Sequence, residues 1–319
     1  MAESQKKNND TQTSPNGKVS DCEMTTDSYV QKLLSALDEE KLECVRNVIL
    51  DFISYELKQY QSIFDKYHVL IQFDDTVMRR VDADNIYKSL KKNPPKLKKD
   101  ILLVLFSFGG DVASAYLISK LCREFTKEKV IVAIPRLAKS AATLICCGAD
   151  EIHMGSLSEL GPIDPQINGL PALGLKNTIR QIAETSSIYP DSGTLFADYL
   201  AKTIKPIDLG YFDRIVESAS QYAQRLLSKR CQKLQCDQVQ KIADHLVYDY
   251  SDHGFVIDKI EAAEIFGHDI VKIDTEEYLF SDTVYSLFSF ISGLCSHKYK
   301  FYFIGSCDLA QSVGLLPRK

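Results

Sequence analysis

The sequence predicts an α/β fold: a parallel β-sheet flanked by helices, with an additional helix at the N-terminus. Three observations carry this reading. First, Ile101-Leu-Leu-Val-Leu-Phe-Ser107 and Lys129-Val-Ile-Val-Ala-Ile134 are continuously apolar, as strands buried on both faces of a parallel sheet must be. Second, helical patterns separate the strands. Ala115, Ile118, Cys122 and Phe125 share one face of the first, and Ala138–Cys147 reads as a short buried helix ending at Gly148. Third, Asp150-Glu-Ile-His-Met154 supplies another strand. Strand, helix, strand, helix, strand with short turns is the signature of βαβ units. Such sheets bind ligands at the carboxyl ends of their strands. Two turns lie there, Gly109-Gly110 and the turn leading to Ser140.

The remaining elements follow in chain order. Residues 1–27 are polar, lack an apolar leader and read as a disordered tail. Residues 28–64 read as one helix, with Leu34, Leu37, Val45, Val48, Ile49, Phe52 and Ile53 near one face that packs on the main domain or on a second copy. The rest, 65–319, is expected to form the main domain. A short strand spans Val69–Phe73, and Asp82 N-caps a helix that stops before Pro94-Pro95. Residues 155–175 carry seven Gly and Pro residues and read as a long ordered loop or lid. Helices are expected near 208–230, 236–247, 258–267 and 277–293, and a last strand at Lys300–Ile304.

Composition narrows the function classes. The 319 residues carry a net charge of −5, which argues against a protein devoted to nucleic acid. The basic run Lys88–Lys99 reads as a solvated loop. There are nine cysteines and no C-x-x-C pair, so neither a zinc site nor any other metal site is expected. Reduced thiols fit a cytoplasmic setting. No run approaches the ~18 apolar residues of a membrane span. Neither G-x-G-x-x-G nor a Walker-type loop occurs, so no nucleotide cofactor is expected, and no cofactor of any other kind is indicated.

Two local features could carry chemistry. Ser140 stands at the start of a small-residue helix, where unpaired backbone N–H groups favour developing negative charge. A serine there can attack a carbonyl while neighbouring N–H groups hold the oxyanion. By itself, a serine at this position is more often a helix-start residue. Gly109-Gly110 lets backbone approach a substrate, although by itself it is better read as a tight turn.

Longer stretches decide between these readings. Residues 101–167 contain Phe-Gly-Gly-Asp-Val-Ala-Ser-Ala, then Ala-Lys-Ser-Ala-Ala-Thr-Leu-Ile, then Gly-Ala-Asp-Glu-Ile-His-Met-Gly, then Ser158-Glu-Leu-Gly-Pro-Ile-Asp-Pro-Gln-Ile167. With His253-Gly-Phe-Val-Ile-Asp-Lys-Ile-Glu-Ala-Ala-Glu-Ile-Phe-Gly267, they resemble the serine dehydrogenase proteinase family. That family is a soluble branch of the Clp protease and signal peptide peptidase A clan, whose fold is ClpP/crotonase-like. The resemblance covers roughly residues 65–275, and Ser158–Ile167 is its most specific part.

The resemblance implies a serine-type endopeptidase. Ser140 matches the nucleophile; Gly109 or Gly110, together with Ala141, matches the backbone oxyanion donors. It also implies a peptide or unfolded-protein substrate paired as an extended strand, and self-assembly into a homo-oligomer. Helices at 28–64 and 208–230 are the interface candidates. Phe108 stands where the family usually has Pro. The base is left open among three residues. Asp164 falls where the Clp branch carries its His, as an orienting or acid residue. Lys176 lies in the region where the lysine branch places its base, and His253 is the third. Two other readings keep the fold: a catalytically inactive scaffold or partner-binding protein, and a crotonase-type acyl-CoA enzyme.

Overall fold

The computed structural model describes residues 25–92, 94, 99–167, 170–203, 206–230 and 236–318. Most of the expected N-terminal tail and much of the Pro94–Lys99 loop therefore lie outside the described residues. The strands are β1 (Tyr67–Asp74), β2 (Asp100–Ser107), β3 (Val130–Ile134), β4 (Leu137–Ala138), β5 (Glu151–Met154), β6 (Glu159–Leu160), β7 (Gln166–Ile167), β8 (Leu170–Pro171), β9 (Val271–Ile273), β10 (Tyr299–Gly305) and β11 (Val313–Pro317). The helices are α1 (Thr26–Asp38), α2 (Leu42–Glu56), α3 (Gln61–Lys66), α4 (Arg80–Lys92), α5 (Val112–Phe125), α6 (Ala141–Cys147), α7 (Ala172–Ile188), α8 (Gly193–Thr203), α9 (Pro206–Arg230), α10 (Cys236–Tyr248), α11 (Lys259–Phe266) and α12 (Glu276–Cys295).

The main sheet runs in the order β11-β10-β1-β2-β3-β5-β9. From β1 to β9 every neighbouring pair is parallel. At the other edge β10 and β11 return antiparallel. This is the mixed α/β architecture that the apolar runs predict. Both faces of the parallel strands are covered, which is why their sequences do not alternate. Leu70, Leu103, Leu105, Val132 and Ile134 pack on the side of α4, α5, α6, α9, α10 and α11. Val69, Ile71, Phe73, Leu102, Val104 and Phe106 pack on the side of α1, α2 and α12.

The N-terminal region differs from the single helix expected over 28–64. It is α1, α2, a 3-10 turn at Leu57–Tyr60 and α3. The break falls at Glu39–Lys41, where Glu40 takes a positive φ of 57° and Lys298 takes up the Leu37 carbonyl at 2.9 Å. Helical periodicity continues across the break because both helices face the same core. Leu37, Val45, Ile49, Phe52 and Ile53 are all fully buried in the chain's own core, so this part of the stripe packs on the main domain, while Leu34 is exposed. In α9, Val216, Ala219, Ala223 and Leu227 are likewise buried.

The described part of the Gly/Pro-rich stretch 155–175 includes β6, the antiparallel pair β7 and β8, and the first turn of α7. Besides the two-residue strands β4, β6, β7 and β8, two strands of the main sheet order carried too little signal to be read. β9 has only three residues, and β11 contains Gly314 and Pro317. Among the described residues, no helix is long and apolar enough to cross a membrane.

Candidate active site

Ser140 is the N-cap of α6 and has φ 51°, ψ −119°. A non-glycine residue in this region is strained by about 1–3 kcal/mol and persists only where its surroundings impose it. The surroundings here are specific. β4 pairs with the end of β2 through Ser107 and Ala138, and Lys139 N–H donates to the Ser107 carbonyl at 3.0 Å. The turn must then reverse at once into α6. Thr143 Oγ1, one turn into that helix, stands 2.7 Å from both the Ala138 and the Gly161 carbonyl oxygens and donates its one proton to either. The hydroxyl of Ser140 is thereby carried out of a buried helix start to a surface cleft.

Gly109 and Gly110 take φ values of 91° and 145°, which favour glycine. Space requires glycine as well. A Cβ on Gly109 would stand 2.6 Å from the Lys139 carbonyl oxygen and 2.8 Å from Ser140 Cβ. On Gly110 it would stand 2.5 Å from Met78 N. Met78 N–H donates to the Gly109 carbonyl (2.8 Å) and Asp111 N–H to the Met78 carbonyl (2.9 Å), which fixes one side of the turn. Asp111 then caps α5 by accepting from Ser114 N–H at 2.9 Å.

Backbone hydrogen bonding separates the two glycines. Gly109 N–H donates to Ser107 Oγ at 3.1 Å. Among the described residues no acceptor is recorded for Gly110 N–H or for Ala141 N–H. Gly110 lines the same cleft as Ser140, and Ala141 follows Ser140 as the first residue of α6.

His253 lines the same cleft, and the buried Asp164 stands behind it. His253 Nδ1 lies 2.5 Å from Asp164 Oδ1. Asp164 is 4% exposed, in the segment between β6 and β7. His253 sits in the loop between α10 and α11. Leu160 and Ile257 exchange backbone hydrogen bonds of 2.9 and 3.1 Å, and Ile163 N–H donates to the Leu246 carbonyl at 2.8 Å. These bonds lay the histidine loop along the aspartate segment. The hydrogen bond to Asp164 favours the imidazolium and outweighs burial, so the His253 pKa is raised above 6.5.

The cleft has a volume of about 690 Å³. Ser140, His253, Gly109 and Gly110 share its wall with Phe108, Val77, Ile163 and Tyr222. Ser140 and His253 face it without a hydrogen bond between them among the described residues, a looseness common in catalytic pairs before substrate binds. Phe108, at the position of the family's proline, is 52% exposed, and its ring lies edge-on to Phe106 at 5.9 Å.

Lys176 falls within α7, and its side chain lies outside the described residues. The structure thus brings together Ser140, Gly110, Ala141, Asp164 and His253. Sequence reading missed the residues that hold them: Ser107, Met78, Thr143 and Lys139. Their roles rest on contacts between distant segments, and none carries a motif of its own.

The profile of the ClpP-like SDH-type serine proteinase family matches residues 72–238 of this sequence, more than half of the chain. The chain belongs to this family. The match includes Ser140 and Asp164 and ends before His253. Two uncharacterized proteins of Methanocaldococcus jannaschii, MJ0137 and MJ1495, are 27% and 28% identical over 148 and 152 residues, 46% of this chain in each case. The chain spans about half the length of these curated relatives (50% of each). Among solved structures, a mutant of the 1510-N membrane-bound stomatin-specific protease aligns over 68% of this chain and 84% of its own, at 15% identity and TM-score 0.42. ClpP1 from Listeria monocytogenes aligns over 69% and 99%, at 15% identity and TM-score 0.40.

Proposed function

We propose that this member of the ClpP-like SDH-type serine proteinase family is a peptidase that acylates at Ser140, with His253 as general base and Asp164 as the residue that orients it. The hydrogen bond to the buried Asp164 from His253, which lines the same cleft as Ser140, is the observation that carries the reading. A carboxylate on Nδ1 leaves Nε2 to accept the serine proton. Asp164 is then the orienting residue and His253 the base. In the Clp branch the histidine is expected at the Asp164 position, so the two roles would be exchanged between segments.

In this reading Ser140 Oγ attacks the scissile carbonyl carbon as its proton passes to His253. The oxyanion forms between the N–H groups of Gly110 and Ala141. On collapse, the imidazolium gives its proton to the departing amine, leaving an ester on Ser140. Water, deprotonated by His253, attacks that ester and releases the new carboxylate. Preorganised N–H donors of this kind contribute on the order of 10²–10³ in rate each. The substrate is an extended peptide or unfolded protein in a cytoplasmic setting, and the active form is a homo-oligomer.

The test is labelling with a fluorophosphonate, read beside cleavage of an unstructured protein. Wild type should label and cleave, and Ser140→Ala should do neither. A folded wild type that neither labels nor cleaves would favour the inactive scaffold. Turnover of acyl-CoA thioesters without peptide cleavage would favour the crotonase-type reading.

A further inference from the structure

Lys139 precedes Ser140 and does not face the cleft. Its ammonium donates to the Leu160 carbonyl at 3.2 Å and to the Phe255 carbonyl at 3.0 Å. It also pairs with Glu159 at 3.2 Å, with only 12% of its side chain exposed. An ammonium has three donors, and here each has an acceptor. Gly161 lies against the aliphatic stem, since a Cβ there would stand 2.6 Å from Lys139 Cδ.

The three acceptors belong to two segments, and both matter. Glu159 and Leu160 form β6, which leads to Asp164. Phe255 lies two residues beyond His253, in a loop otherwise tied by the Leu160–Ile257 backbone pair. Lys139 belongs to the turn that presents Ser140. One side chain therefore connects the segments of all three residues assigned to the reaction. We infer that Lys139 is a positioning residue that clamps the His253 loop to the Ser140 turn and so keeps His253 on Asp164.

This rests on the peptidase reading for its catalytic meaning, and it assigns Lys139 a role other than base. A lysine base must give up a proton and hold a free lone pair at the substrate. Lys139 spends its donors on two carbonyls and a carboxylate.

The deciding experiment is an NMR titration of His253, assigned by its loss in His253→Asn, in wild type, Lys139→Met, Lys139→Arg and Gly161→Ala. The charges around the ring make the sign informative. Asp164 and Asp252 both raise its pKa, and removal of a nearby cation would by itself raise it further. If Lys139 holds the loop, Lys139→Met moves the pKa the other way, down toward 6.5, because the Asp164 contact is lost. Lys139→Arg, which can donate to the same carbonyls, should stay near wild type. Gly161→Ala, which pushes on the lysine stem without changing charge, should move it down by less. An unchanged or raised pKa in Lys139→Met overturns the inference. If that variant does not fold, an unmoved pKa in folded Gly161→Ala overturns it instead.

Fluorophosphonate labelling adds the catalytic consequence. Lys139→Met should slow labelling roughly 10- to 100-fold, the scale of a small misplacement of a catalytic group. The double variant Lys139→Met/His253→Ala should label no more slowly than His253→Ala alone. Losses that multiply would show that Lys139 acts independently of His253 and overturn the inference. A wild type that never labels sinks the peptidase reading, and the His253 titration still decides whether Lys139 clamps the loop.

Discussion

His253 Nδ1 and Asp164 Oδ1 lie 2.5 Å apart although 89 positions separate the residues in the chain. Replacing the aspartate by asparagine removes the acceptor-only carboxylate that fixes the ring's tautomer and orientation. Asp164→Asn should lower the labelling rate of Ser140 by roughly 10²- to 10⁴-fold, the range general-base catalysis supplies. A rate within twofold of wild type would remove Asp164 from the mechanism.

The same pair determines a pH dependence. The hydrogen bond to Asp164 raises the His253 pKa above 6.5, and acylation needs the neutral ring. The labelling rate should therefore rise with pH through a midpoint above 6.5, and Asp164→Asn should move that midpoint down. The stability contribution has the opposite profile. It is complete below the unfolded pKa of about 6.5 and is lost as pH rises through the folded value. Urea midpoints of wild type and His253→Gln, compared across pH, should converge on the alkaline side.

Gly109→Ala tests how closely the turn is packed against the nucleophile. The added methyl would meet the Lys139 carbonyl and Ser140 Cβ below 3 Å at a φ of 91°. The variant should lose on the order of 1–3 kcal/mol of stability, and labelling should fall with it. A wild-type melting temperature and labelling rate would contradict the geometry of the turn.

Ser140 itself stores strain. Its φ of 51° and ψ of −119° suit glycine better than serine. Ser140→Gly should abolish labelling while stabilising the fold, by about 1 kcal/mol if relief of strain exceeds the added unfolded-state entropy. Thermal melting reads this directly, and a lower melting temperature would count against strain at the nucleophile.

Far from the cleft, Glu277 anchors α12 to β1. Burial pushes its carboxyl up, but hydrogen bonds from Tyr67 (2.6 Å) and Lys66 (2.9 Å) win and hold its pKa at about 2. Stability from this group is present above its ordinary 4.5 and lost as pH falls through about 2. Tyr67→Phe should cost roughly 1–3 kcal/mol, a buried carboxylate losing a donor. Denaturant midpoints near neutral pH measure it, and the deficit should shrink in strong acid.

How much of this was legible before folding differs from residue to residue. The strands Ile101–Ser107 and Lys129–Ile134 could be read because burial on both sheet faces demands an unbroken apolar run. Gly109, Gly110 and Ser140 could be read because their turns follow those strands and match a family pattern. β9 and β11 could not, since three residues, or a strand with Gly and Pro, carry no periodicity. Nor could the break at Glu40, because both helices it separates bury the same face.

By itself, then, the sequence determined the parallel sheet, the position of the nucleophile turn at its carboxyl edge and the family, all of which depend on local pattern. Only the tertiary structure brought Asp164 and His253 together. It also gave the Gly109 N–H an acceptor in Ser107 Oγ, and tied Lys139 to the carbonyls of Leu160 and Phe255. The physical reason is common to all three. Which donor meets which acceptor is set by loops crossing from opposite ends of the chain, and the spacing of residues along the chain does not encode those crossings.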